Sequence, residues 1–126
     1  MNEEGVIPEQ LKLTVSLRGT RDVKDNYQLF RLNGLLDAFS EQIFKSCVER
    51  CIAEGPKNII LDLSKIDFLD SSGLGVLVKL VKQVQGEGGT LQVIANVRVM
   101  TTVKLVRLEE FLSVRESVDA AIANVK

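Results

Sequence analysis

The stretch Asp70-Ser71-Ser72-Gly73-Leu74-Gly75 joins two segments of different periodicity and decides how the chain is read. Before it, Asn58 to Leu63 is a nearly continuous apolar run, Ile59, Ile60, Leu61 and Leu63 interrupted by Asp62, which is the pattern of a central strand covered on both faces. Phe68 and Leu69 then read as a short loop. After the stretch, Leu74, Leu77, Val78, Val81 and Val84 recur at helical spacing, predicting an amphipathic helix from Gly73 to Gln85. Two adjacent hydroxyls, Ser71 and Ser72, therefore stand at a helix start. There the backbone N–H groups lack internal partners and the macrodipole is positive, so a hydroxyl or an added phosphate is electrostatically supported. Asp and Ser are also common N-caps, so simple capping accounts for the same residues.

Upstream, Met1 to Gln10 is polar and acidic and reads as a tail or lead-in. Leu11, Leu13, Val15 and Leu17 alternate with polar residues, a period of two that marks a half-buried strand. Gly19 to Asn26 carries Thr20, Arg21, Asp22, Lys24 and Asp25 and reads as a charged connection. A second strand follows from Tyr27 to Asn33, with Tyr27, Leu29 and Arg31 on one face. Asn33-Gly34 is a hairpin signal in isolation, but Leu35-Leu36 is too short to supply another strand, so a loop into a helix fits better. Ser40 is placed as the N-cap of that helix, with Phe39 and Phe44 in the two positions of a hydrophobic staple. Ile43, Phe44, Cys47, Val48, Cys51 and Ile52 form its apolar stripe, and Gly55-Pro56 ends it.

Downstream, Gln85 to Gly89 breaks the second helix, and Thr90 to Ala95 supplies another short strand. Val99, Val103 and Val106 predict a third helix ending near Leu108 or Glu109. A short edge strand near Leu112 to Arg115 and a final helix capped by Ser117 complete the chain. The expected architecture is α/β: one mixed β-sheet with parallel central strands and about four α-helices, in a single domain over residues 11–126.

The totals exclude several functions. A chain of 126 residues with 45% hydrophobic and 26% charged residues is an ordinary globular domain with enough chain for a core. Sixteen Lys and Arg balance 17 Asp and Glu to a formal charge of -1, which gives no global basic field for nucleic acid or an anionic membrane. No apolar run reaches the roughly 18 residues that span a bilayer, and the N-terminus lacks the regions of a signal peptide, so a cytoplasmic location is expected. Cys47 and Cys51, on one helical stripe, read as buried free thiols of a reducing compartment. Histidine is absent, which removes Ser-His-Asp and Cys-His arrangements and the usual imidazole ligands of zinc. No catalytic residue, cofactor or metal is expected.

The order of a strand, Phe68-Leu69, Asp70-Ser71-Ser72-Gly73-Leu74-Gly75 and an amphipathic helix resembles the STAS domain of anti-sigma factor antagonists. Leu32-Asn33-Gly34-Leu35-Leu36-Asp37 looks like that family's second strand ending in Gly-x-x-Asp, and the likeness runs in element order from about Leu11 to Val125. The resemblance implies that Ser72, the second serine of the motif, is a regulatory phosphorylation site. It also implies a protein partner, an ATP-dependent serine kinase that doubles as an anti-sigma factor, whose sequestration frees a sigma factor. This chain departs from the family pattern in lacking a proline around Asn96 to Met100 and in its charged Gly19 to Asn26 connection.

In a sheet with parallel central strands, the loops after those strands share one edge, so Asp37, Ser71 and Ser72, and Asn96 are expected to converge. Asp37 and Asp70 offer an acid–base or magnesium pair, but such residues are more often loop caps. Gly73-Leu74-Gly75 lacks the remaining glycines or the Gly-Lys-Ser/Thr of a nucleotide loop. The glycines are read as keeping the helix start small, Gly73 beside the hydroxyls and Gly75 on the solvent side near Lys79 and Lys82, so that a partner approaches the backbone. The expected partner-binding set is Asp37, Asp70, Ser71, Ser72, Gly73, Gly75 and Lys79. Two rival readings are a non-switching adaptor or scaffold subunit of a transporter or signalling complex, in which the serines only cap, and a small-molecule-binding enzyme.

Overall fold

The structure, a computed structural model, describes residues 7–125. One six-stranded sheet holds the strands in sequence order, β1 (Glu9–Lys12), β2 (Leu17–Val23), β3 (Gln28–Leu36), β4 (Asn58–Leu69), β5 (Thr90–Ala95) and β6 (Val114–Arg115). The pairs β1–β2 and β2–β3 are antiparallel, and β3–β4, β4–β5 and β5–β6 are parallel. The four helices are α1 (Glu41–Glu54), α2 (Ser71–Gly86), α3 (Val97–Leu105) and α4 (Val118–Ala123). The expected mixed sheet with parallel central strands is what forms.

β4 lies in the middle because its first half can be buried on both faces. Leu61 and Leu63 point into the main core with Phe44 and Val48 of α1, Leu77 and Val81 of α2, and Val99 and Val103 of α3. Ile60 points to the other face, where Leu29 and Ile94 pack with Ala121 of α4. Each large aliphatic side chain so buried contributes about 1.5–3 kcal/mol, and this two-sided burial fixes the register of the parallel strands.

Several expected boundaries move, each for a local reason. The first strand does not run from Leu11 to Leu17. The Thr14 hydroxyl accepts from the amides of Ser16 and Leu17 at 3.1 and 3.0 Å, turning the chain so that Glu9–Lys12 and Leu17–Val23 form a hairpin. Glu9 and Gln10, read as part of a lead-in, are strand residues; the rest of that segment up to Val6 lies outside the described residues.

Gly19 to Asn26 is not a connection but mostly β2. Its inward row is Leu17, Gly19 and Arg21, and Arg21 is buried with its Nε and Nη1 engaged. Nε donates to Gln28 Oε1 at 2.8 Å and Nη1 pairs with Glu9 at 2.9 Å and with Glu54 at 3.6 Å. Gln28 in turn donates from Nε2 to the carbonyls of Cys51 and Pro56, both at 2.8 Å. A buried cation with this many partners is tolerated where a bare one is not.

Asn33-Gly34 lies inside β3 rather than in a loop: Gly34 sits at a register shift with φ +107°, a backbone conformation that favours glycine. β4 likewise continues past Leu63 to Leu69, so Phe68 and Leu69 are strand residues paired with Leu35 and Leu36.

Candidate functional site at the carboxyl edge of the sheet

Capping side chains bind the loops after β3 and β4 to each other and the loop after β5 to the second half of β4. Asp70 is the N-cap of α2: its Oδ1 accepts from the Gly73 amide at 2.9 Å and its Oδ2 from the Ala38 amide at 3.1 Å. One carboxylate thus closes the first turn of α2 and fastens the β3–α1 loop to it. Asp37 organises that loop, its Oδ1 accepting from the amides of Phe39 and Ser40 at 3.0 and 3.2 Å. Asn96 caps α3, accepting from the Val99 amide at 2.8 Å, and its Nδ2 donates to the carbonyls of Ser64 at 3.1 Å and Ile66 at 2.7 Å. Asp37, Ser71 and Ser72, and Asn96 are therefore brought to one edge, as the topology of parallel strands requires. Both oxygens of Asp70 and one of Asp37 are used on backbone amides, which is the chemistry of caps. Among the described residues no group of three or more His, Cys, Asp or Glu is placed to hold a metal.

With Asp70 acting as the cap, the two serines are left over. They are the first two residues of α2; Ser71 is exposed and Ser72 half-buried, and among the described residues neither hydroxyl has a hydrogen-bond partner. The helix's internal bonding begins with the Leu74 amide donating to the Asp70 carbonyl at 2.9 Å, so the amides of Ser71 and Ser72 also lack an acceptor among the described residues. Two hydroxyls and two outward amides at the positive end of a sixteen-residue helix form a surface suited to a negative group.

The two glycines divide their work. Gly75 has open space where a Cβ would stand, and Lys79 one turn on is exposed. Gly73 instead faces inward: a Cβ there would lie 2.2 Å from the Leu36 carbonyl oxygen and 2.8 Å from Leu69 Cδ1. The room it leaves is taken by the end of β3, so Gly73 brings α2 close to the sheet and does not open the backbone to a partner as expected.

Ser40 precedes α1 but its hydroxyl does not cap the helix. It accepts from the Asp37 amide at 3.0 Å and donates to the Leu35 carbonyl at 2.9 Å, holding the tight turn. That turn aims Phe39 outward at 92% exposure while Phe44 is 1% exposed, so the expected staple between them does not form. Phe68, 52% exposed, and Val97, 82% exposed, lie at the same edge on β4 and at the start of α3. The sequence pattern does not mark these three apolar side chains as surface residues of this edge. The sequence reads Phe39 as half of a hydrophobic staple, and nothing in its spacing shows which way the turn points it.

Away from the edge, the α1 thiols differ. Cys51 is fully buried and Cys47 half-buried, both free. A hydrogen bond from the Cys51 thiol, helped by Arg50 with Nη2 4.0 Å from Sγ, draws the Cys47 thiol down to about 6 against the opposing effect of burial. The same hydrogen bond and burial push Cys51 up.

The anti-sigma-B factor antagonist of Bacillus subtilis (strain 168) is 28% identical over 100 residues, covering 78% of this chain and 86% of its own. The crystal structure of an anti-sigma factor antagonist from Mycobacterium paratuberculosis superposes with a TM-score of 0.79 at 22% identity, covering 87% of this chain and 94% of that one. A sulfate transporter family protein from Wolinella succinogenes shares the fold at a TM-score of 0.68 and 21% identity, covering 81% and 86% of the two chains. The STAS domain family profile matches residues 18–121, and this chain belongs to that family.

Proposed function

We propose that the protein is an anti-sigma factor antagonist whose binding is switched by phosphorylation of Ser72. Unmodified, it docks an anti-sigma factor that is also a serine kinase and so releases a sigma factor; phosphorylated, it lets that partner go. The observation that carries this reading is the Ser72 hydroxyl: partly accessible, without a hydrogen-bond partner among the described residues, and one residue into a helix already capped by Asp70. The name of the Bacillus subtilis relative supports the partner class. Transfer of the ATP γ-phosphoryl to Ser72 Oγ forms the O–P bond, releases ADP and sheds the hydroxyl proton. It adds roughly -1.5 to -2 charges at a helix N-terminus, which accommodates an anion. A partner packed over Phe39, Phe68, Val97, Gly75 and Lys79 then meets a hydrated dianion beside the carboxylate of Asp70. Losing about 3 kcal/mol there weakens binding more than a hundredfold.

The second reading, a non-switching adaptor, is favoured by the likeness to the transporter-family protein. Two measurements separate them. Phosphopeptide mass spectrometry of protein from its native host should find phosphate on Ser72, and Ser72→Asp should lose the anti-sigma factor at least a hundredfold while melting like wild type. Unchanged binding by Ser72→Asp refutes the switch and leaves the adaptor.

A further inference from the structure

Among the described residues, the sheet face opposite α1, α2 and α3 is covered by α4 toward β4, β5 and β6 and over Leu29 of β3, leaving the side toward β1 and β2 open. On this open area the register sets Lys12 of β1 against Arg18 of β2, Arg18 against Asn33 of β3, and Asn33 against Lys65 of β4. The adjacent row runs Gln10, Thr20, Arg31 and Asp62. Like charges directly opposed on neighbouring strands destabilise a sheet, and Lys12 faces Arg18 with no carboxylate between them. Among the described residues Lys12, Arg18 and Lys65 form no ion pair, and all three are exposed. Arg31 pairs with the buried Asp62 at 3.4 Å, and Asp62 also accepts from the Ser64 amide at 3.0 Å.

These rows enclose a cavity of about 320 Å³ lined by Gln10, Arg18, Thr20, Arg31, Asn33 and Lys65 among others, with Asp62 its one carboxylate. Three cations against one carboxylate give the cavity a net positive charge. Its volume falls at the lower limit for small-molecule sites, which suits a small ligand and not a macromolecular surface. Arg18 and Lys65 stand two strands apart, roughly 9.5 Å, so their long side chains reach over Asn33 from both sides. Guanidinium and ammonium donors with an amide between them match the acceptor oxygens of a phosphate group.

We propose that this open-face cavity binds a small phosphate-bearing molecule, independently of the α2 edge. The test is a titration of the isotope-labelled protein with inorganic pyrophosphate at low ionic strength, followed by amide NMR. Saturable shifts are expected at Arg18, Thr20, Asn33 and Lys65, with the Ser71 and Ser72 amides unmoved. Arg18→Gln and Lys65→Gln should each weaken binding at least tenfold and, being exposed, melt no lower than wild type. Shifts centred on Ser71 and Ser72, equal shifts with sodium chloride at matched ionic strength, or wild-type affinity in both variants would overturn the proposal.

Discussion

Replacing Gly73 and Gly75 by alanine, one at a time, should move stability in opposite directions although the residues are two apart on one helix. Alanine is better than glycine in a helix interior by about 1 kcal/mol, and this gain applies at both positions. At Gly75 nothing stands within 4 Å of the added Cβ, so the gain is kept. At roughly 4 °C per kcal/mol for a domain of this size, the variant should melt about 2–4 °C higher. At Gly73 the Cβ would lie 2.2 Å from the Leu36 carbonyl oxygen and 3.0 Å from its carbon. Leu69 can change rotamer, but the Leu36 carbonyl ends a buried strand and receives the Asp70 amide at 3.4 Å, so α2 itself must back away. A clash with backbone at this distance falls at the upper end of the overpacking range, about 2–3 kcal/mol, so after the propensity gain a net loss of about 1–2 kcal/mol remains, or roughly 4–8 °C. Urea denaturation followed by far-ultraviolet circular dichroism measures both variants. If Gly73→Ala proves as stable as Gly75→Ala, the close approach of α2 to β3 is wrong, and with it the inward placement of Gly73.

Asp70→Ala should lose about 2 kcal/mol by urea denaturation, since it removes the cap on Gly73 and the bond to Ala38, whereas Asp70→Asn should recover about half by keeping the cap. Cys47 should react with iodoacetamide as a thiolate at a rate that falls as pH drops through about 6, while Cys51 stays unmodified until the protein is denatured; a profile centred near the ordinary thiol value would refute the arrangement around Cys47. Phe39→Ser should leave the melting temperature unchanged, because the ring is 92% exposed, yet weaken capture of the anti-sigma factor; a drop of several degrees would restore the hydrophobic staple.

What could be read from the residues followed how completely a segment is buried. β4 up to Leu63, α2 and β5 carry apolar residues on nearly all their buried positions, Asp62 and Gln92 excepted, and their expected ends in these stretches lie within two residues of the observed ones. β2 escaped because two of its three inward positions are Gly19 and Arg21, and an arginine announces itself as buried only once Glu9, Gln28 and Glu54 are known to surround it. The second half of β4 escaped because Ser64, Lys65, Asp67 and Phe68 are exposed where the strand outruns β5, so its alternation is lost. At the site, the capping chemistry of Asp37 and Asp70 was among the readings available, since the residue types suffice for it. The outward aim of Phe39 and the inward aim of Gly73 were not, because each depends on where a neighbouring loop or strand end passes.

The division of labour at the α2 start bears on how a switch can work without disturbing the fold. Had Ser71 or Ser72 served as the N-cap, its modification would remove a hydrogen bond worth about 1 kcal/mol and alter the first turn. Here Asp70 takes that role and also ties down the Ala38 amide, so a group added to Ser72 displaces no existing bond. Two opposing effects then act on it: the helix terminus favours a negative charge by about 0.3–1 kcal/mol, and the neighbouring Asp70 carboxylate opposes it by a similar amount at an aqueous surface. They nearly cancel for the isolated domain, so Ser72→Asp should melt within about 4 °C of wild type. The cancellation fails under a docked partner, where water is excluded and the same carboxylate repels more strongly. Asp70 is thus proposed both to keep the modification silent in the free protein and to sharpen its effect in the complex. In the Asp70→Asn background, Ser72→Asp should therefore cost the complex measurably less affinity than it does beside the native carboxylate; an equal loss in both backgrounds would show that bulk alone, and not charge, drives release.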